Sequence, residues 1–324
     1  MLRQTLKYDP EYARWREPYK GMLRMPAFES HLDFRQYSNT FMRAFYEQYP
    51  PQPSITRTKY TCVSHDGAKV EIVRFATAEQ IATDQALPAL LNMHGGGFVT
   101  SSVDIFAPQI ATLAAESGVQ IFSIDYRLAP EHPDPTPIED CYAALKWVST
   151  HAAELGVDPS RLGIMGDSAG GGLTAGLGLI ARDRGLEPPL KKQILVYPML
   201  DDRSINKPSA VLDEFASFPM TMNKLCWEAY VGKEKAGRSD ADVSPYAAPA
   251  RATDLRGLPS TYIDVGGLDI FNEECALFAA RLAAADVEVE FHLFSGLPHG
   301  FEGASDAYAT KRAIEGRTRW IKDL

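Results

Sequence analysis

The chain is short of the features that mark several protein classes. Its 324 residues include four cysteines, Cys62, Cys141, Cys226 and Cys275. They lie far apart with no C-x-x-C pair, which argues against a zinc site and a dense disulfide framework, so they read as reduced thiols. No apolar stretch reaches the roughly 18 residues that a membrane span needs, and no stable membrane insertion is expected. Met1 to Arg16 is polar and charged, without the apolar centre of a signal peptide, so a cytoplasmic location is the expectation. Lysine and arginine form no run and the formal net charge is −9. Neither nucleic acid nor an anionic membrane surface is then a natural partner, while small neutral substrates remain open. There is no G-x-x-x-x-G-K-[ST] and no helix-opening G-x-G-x-x-G to grip a phosphate, nor any internal repeat or low-complexity tract.

What is present is ample material for one large domain with an insertion or cap: 45% hydrophobic and 23% charged residues is ordinary for a globular core. Residues 1–50 scatter Tyr8, Tyr12, Trp15, Tyr19, Phe28, Phe34, Phe41 and Phe45 at spacings that suit short amphipathic helices, and read as a cap segment. Alternation in Thr58 to Ser64 and Lys69 to Phe75, around Asp66-Gly67, predicts an antiparallel hairpin. From Pro88 onward, apolar runs alternate with helical ones. Ala89 to Met93, Val119 to Ile124, Leu162 to Met165, Ile194 to Tyr197 and Thr261 to Val265 read as buried strands, and Glu288 to Phe294 as a late edge strand. Helices are expected near Phe106 to Glu116, Ile138 to His151, Ala169 to Asp183, Phe271 to Ala285 and Ala307 to Ile321. This succession means an α/β fold with a mostly parallel central sheet and helices on both faces, spanning 51–324. Its functional residues should collect at the carboxyl ends of the strands. Between about 201 and 250, Pro208, Pro219, Pro245 and Pro249 surround a helical piece, Met220 to Tyr230, and this stretch reads as a cap insertion.

Gly166-Asp167-Ser168-Ala169-Gly170 is a G-x-S-x-G pentapeptide between an apolar run and a small-residue stretch. A nucleophile elbow requires that setting, since strand end, strained serine and helix start must fall together and a flanking Cβ would clash. A serine hydroxyl needs a base, and the base needs a carboxylate to hold its tautomer and stabilise its cation. Of seven histidines, His299 in Gly296-Leu297-Pro298-His299-Gly300-Phe301 is the candidate, because it follows a strand on a glycine-flanked loop. Asp269 follows a strand by a short glycine loop and precedes a helix. Such an aspartate also serves as an N-cap, and Asp264, inside the strand, is the weaker rival. His94-Gly95-Gly96-Gly97-Phe98 lets main-chain amides approach a substrate, and Gly96, Gly97 and Ala169 are the candidate donors to an oxyanion.

His94 to Phe98, Gly166 to Gly171, Leu297 to Phe301 and Asp125 to Pro133 together resemble the hormone-sensitive-lipase-like group of α/β-hydrolases, specifically its GDSAG esterases. The resemblance covers roughly Pro88 to the C-terminus. It implies an α/β-hydrolase fold with a helical cap and a serine carboxylesterase acting on short- to medium-chain acyl esters. Ser168 is then the nucleophile, His299 the base, Asp269 its orienter and His94 structural, and neither metal nor organic cofactor enters the steps. The family's D-P-L-x-D stretch is Asp269-Ile270-Phe271-Asn272-Glu273 here, with Asn272 standing where a second carboxylate is expected.

Tyr197, after a core strand beside the elbow, has a claim to the pocket floor, and Phe98 and Phe215 are further pocket candidates. Amide or lactone hydrolysis and acyl transfer use the same relay. A ligand receptor on this scaffold usually loses nucleophile or base, and this chain keeps both. The late edge strand is able to pair with its copy, which leaves a homodimer open.

Overall fold

The computed structural model describes residues 6–21, 23, 25–206 and 209–324; Met1 to Thr5 of the expected cap segment and Pro208 of the expected insertion lie outside them. In chain order the elements are α1 (Pro10–Arg16), α2 (His31–Tyr46), the hairpin β1 (Ile55–Val63) and β2 (Lys69–Thr77), the short α3 (Ala78–Ala82), β3 (Leu87–Met93), α4 (Val103–Ser117) and β4 (Gln120–Asp125). Then follow α5 (Thr136–Thr150), α6 (Ala152–Leu155), β5 (Val157–Asp167), α7 (Ala169–Asp183), β6 (Lys192–Val196), α8 (Ala210–Phe215) and α9 (Met220–Val231). The chain ends with β7 (Ser260–Gly266), α10 (Asn272–Ala284), β8 (Val289–Phe294) and α11 (Tyr308–Lys322).

The eight strands form one sheet in the order β1-β2-β4-β3-β5-β6-β7-β8. β2 runs antiparallel to both of its neighbours, and every pair from β4 to β8 is parallel. The sequence explains the division. Every residue of β6 and the last five of β3 are buried, as strands covered by helices on both faces must be, and such strands read as unbroken apolar runs. β1, at one edge, alternates. β8 lies at the other edge, as expected, with Leu293 half exposed.

Boundaries differ from expectation where a side chain caps an end. α4 begins at Val103, ahead of the predicted Phe106, because Ser102 caps it and Asp125 accepts the Val103 amide at 2.9 Å. β6 stops at Val196, so Tyr197 is released from the strand with φ of +33°. Over the carboxyl ends of the strands, α2 packs against α4 and α9. The N-terminal segment meets the stretch between β6 and β7 through Met25 N donating to the Ser217 carbonyl (3.1 Å) and the Tyr8 hydroxyl donating to that of Phe215 (3.0 Å).

Candidate active site

β5 delivers Asp167 to the carboxyl edge of the sheet, and Ser168 follows with φ +56° and ψ −120°, a strained conformation for a residue with a side chain. The turn closes because its neighbours are glycines: a Cβ on Gly166 would meet the Gly170 carbonyl oxygen at 2.2 Å, and one on Gly170 would meet that of Met93 at 2.1 Å. Ser168 is 8% exposed, its hydroxyl turned toward a cavity rather than into the core.

The structure brings Ser168, His299 and Asp269 together across 131 and 30 positions of sequence. His299 Nε2 lies 3.0 Å from Ser168 Oγ, and Nδ1 lies 2.7 Å from Asp269 Oδ2. With Nδ1 protonated, the imidazole donates to the carboxylate and accepts from the hydroxyl. Asp269 is buried, and its other oxygen accepts the Phe271 amide at 3.0 Å, so the capping role and the orienting geometry belong to one side chain. Burial works against the imidazolium, but Asp269, with Glu302 and Asp167 behind it, outweighs that cost and raises the His299 pKa above its ordinary 6.5.

Asp264, the rival carboxylate, is turned away from the histidine. Both of its oxygens accept from Arg317 of α11, Oδ2 from Nε at 2.6 Å and Oδ1 from Nη2 at 2.8 Å, while Arg317 Nη1 donates to Glu302 at 2.5 Å. Sequence reasoning missed this buried cluster, whose members are far apart in the chain. It underlies the histidine loop, since Glu302 is three residues beyond His299 and the Arg317 guanidinium lies 5.6 Å from the Tyr197 ring centroid. That ring is in turn 4.4 Å from the imidazole.

Gly96 and Gly97 adopt φ of +123° and +61°. A Cβ on Gly96 would meet the Thr100 carbonyl oxygen at 2.3 Å, and one on Gly97 the Cys226 sulfur at 2.4 Å; only glycine fits either position. The two line the cavity with Ser168, and Ala169 opens α7, whose first-turn amides have no acceptor inside the helix. His94 is buried, stacked at 4.4 Å on Tyr126 with Nδ1 2.8 Å from the Gly95 carbonyl, and burial lowers its pKa. His292 pairs with Glu290, and His151 stacks on Trp147; neither faces the serine. The fifth position of the Asp269 stretch is Glu273, so a carboxylate is retained there, and Asn272 donates to the Gly267 carbonyl at 3.1 Å.

The cavity, about 1120 Å³ with its mouth, is lined by Ser168, His299, Tyr197, Phe218 and many aromatic residues of α1 and α2, among them Tyr12, Trp15, Tyr37 and Tyr46. Two of the expected pocket residues are corrected. Phe98 is fully buried with its ring stacked 4.1 Å from Tyr230, because its φ of +66° turns it away from the cavity toward α9. Phe215 packs edge-on against Tyr8 at 5.1 Å, and its neighbours Ser217 and Phe218 reach the cavity instead. The i, i+3, i+4 spacing of Phe34, Tyr37, Phe41 and Phe45 was the available signal for the wall. Among the described residues, no group of three or more His, Cys, Asp or Glu side chains is arranged to hold a metal ion, and no helix is long and apolar enough to cross a membrane.

An elbow serine at the end of β5, an imidazole relay and a glycine loop on a doubly wound sheet define an α/β-hydrolase. Comparison with known proteins agrees: the alpha/beta hydrolase fold family matches residues 90–303. Esterase LipI of Mycobacterium tuberculosis is 41% identical over 223 residues, covering 68% of each chain. The mouse hormone-sensitive lipase is 36% identical over 154 residues, 47% of this chain and 20% of that one. The solved structure titled "Bacterial Heroin Esterase" superposes with a TM-score of 0.87 at 35% identity, covering 98% of both chains. The chain belongs to the α/β-hydrolase fold family, as a carboxylesterase of the hormone-sensitive-lipase-like group.

Proposed function

We propose that the protein is a serine carboxylesterase whose nucleophile is Ser168, general base His299 and orienting acid Asp269, acting on short- to medium-chain acyl esters. The observation that carries this reading is the unbroken relay of 3.0 and 2.7 Å from hydroxyl to imidazole to buried carboxylate. As His299 Nε2 takes the hydroxyl proton, Ser168 Oγ bonds to the ester carbonyl carbon and the carbonyl electrons move onto oxygen. The Gly96, Gly97 and Ala169 amides hold that oxyanion. Collapse expels the alcohol, which receives its proton from the imidazolium, and water repeats the sequence on the acyl-enzyme. Each half-reaction needs His299 neutral at its start and charged at the tetrahedral intermediate, and Asp269 stabilises the charged form. No step calls for a metal or cofactor.

The N-terminal segment and the stretch from about 201 to 250 act as the cap: both supply walls of the cavity and they hydrogen-bond to each other. A cytoplasmic site of action is supported by four cysteines that are all buried and unpaired. A homodimer through β8 is supported by its edge position and by Leu293, 52% exposed there.

The test is p-nitrophenol release from an acyl series, acetate to palmitate, by wild type and Ser168→Ala side by side. Activity confined to wild type and peaking at short to medium chains is expected. A folded wild type silent on every ester, or a variant that retains the activity, overturns the reading.

A further inference from the structure

The cavity is lined by a carboxyl group that the hydrolysis steps do not use. The Asp167 carboxylate lines it beside Ser168, with Oδ2 against the Gly95 backbone, where an added Cβ would lie 2.6 Å away. Among the described residues, the hydrogen bond acting on this carboxylate comes from its own backbone amide; no cationic side chain is paired with it. Glu302 lines the same cavity at 8% exposure, and the guanidinium that holds it is already shared with Asp264. Among the described residues, no lysine or arginine is part of the wall. Four carboxylates, Asp167, Asp264, Asp269 and Glu302, thus converge on the site against the charge of Arg317 and one imidazole.

The wall around this carboxyl group is aromatic. Tyr46, Phe106 and Tyr197 line the cavity together with Asp167, and the Phe106 ring lies 4.5 Å from that of Tyr46. Ring faces carry negative quadrupole density, so a carboxylate beside several rings attracts a soft, bulky cation and repels a second anion. Burial, and then the Glu302 charge, push Asp167 up to about 7 against the opposing pull of His299 and Arg317, so the group carries its full charge only above neutral pH.

We propose that the cavity selects esters that carry a positively charged amine, the ammonium held by Asp167 and the aromatic wall that includes Tyr46 while the ester carbonyl reaches Ser168. This selectivity rests on the esterase reading above and names its substrate class. Esters with a free carboxylate on either side are correspondingly excluded.

The test compares two acetates of matched shape, acetylcholine and 3,3-dimethylbutyl acetate, which differ by a quaternary nitrogen in place of a carbon. Above neutral pH, wild type is expected to favour the cation in kcat/KM by on the order of tenfold. Choline should compete with p-nitrophenyl acetate better than 3,3-dimethylbutanol does. Asp167→Asn and Tyr46→Leu should each lower the cation-to-neutral ratio, a quantity in which any general loss of folding or catalysis cancels. Equal or greater use of the neutral ester by wild type overturns the proposal while leaving the esterase reading intact, as does cleavage of p-nitrophenyl acetate without cleavage of acetylcholine. Silence on all three esters sinks the esterase reading itself, and this inference with it.

Discussion

Arg35 and Val99 stand 64 positions apart, yet Arg35 Nε donates to the Val99 carbonyl at 2.6 Å. The same guanidinium donates to the Ala129 carbonyl at 2.8 Å and grips Glu131 with two bonds of 2.8 and 2.7 Å. One side chain of α2 therefore fastens the N-terminal segment to the loop that presents Gly96 and Gly97, and to the turn after β4. Arg35→Met leaves two partly buried carbonyls without donors, at about 1–3 kcal/mol for an unsatisfied buried group. Expected are a lower melting temperature and a kcat/KM on p-nitrophenyl acetate reduced about tenfold. Lysine, a point charge that cannot span the acceptors, should restore little of either. Unchanged kinetics in Arg35→Met would show that the glycine loop holds its shape alone.

Activity should follow the neutral form of His299. Its folded-state pKa is raised, the Asp269, Glu302 and Asp167 charges outweighing burial, so the base is disarmed at a pH where an ordinary histidine would serve. The kcat/KM profile of a neutral ester should therefore rise with pH through a midpoint above 6.5. The stability contribution has the opposite sense: it is full below the unfolded pKa and lost as pH rises through the folded one. Asp269→Asn should lower kcat by several orders of magnitude by releasing the tautomer. A wild-type midpoint below 6.5 would contradict the charge assignment around the imidazole.

Much of this was legible in the chain because the constraint was local. A parallel strand covered on both faces must be apolar throughout, which made β3 to β7 visible as runs, and an elbow tolerates only glycine at Gly166 and Gly170. The pocket wall was not legible in the same way. Phe98 adjoins the glycine loop in sequence, but its backbone conformation sends the ring toward Tyr230. The wall is built by α1 and α2, whose aromatics read equally well as cap core. Asp264 and Arg317 meet across 53 positions, with no motif to announce the pair.

That pair leads to a stability prediction. Arg317 is buried with two carboxylates on its nitrogens, so removing it strands buried negative charge, which costs about 3–5 kcal/mol. Arg317→Met should lower the unfolding free energy measured by urea titration by that margin, and Arg317→Met with Asp264→Asn should recover part of it. The loss should also reach His299, whose loop carries Glu302, and appear as reduced kcat. A loss of under about 1 kcal/mol in the single variant would mean that water reaches the carboxylates and replaces the guanidinium.

Asp134 offers the opposite case, a carboxylate whose removal should help. It is largely buried, Oδ1 has no hydrogen-bond partner, and desolvation pushes its pKa from 3.8 to about 6, with Glu139 adding to the rise and Lys235 opposing it. Because the folded pKa lies above the unfolded one, the proton favours the folded state. The benefit is full below pH 3.8 and is lost as pH rises through about 6. At neutral pH the charged side chain therefore destabilises the fold, by up to about 3 kcal/mol at 1.36 kcal/mol per pH unit. Asp134→Asn keeps the shape and removes the charge, so urea unfolding at pH 7 should show a gain of about 2 kcal/mol. Against the protonated acid at pH 4 the gain should shrink toward zero. An equal gain at both values would assign the effect to the new amide's hydrogen bonds rather than to the buried charge.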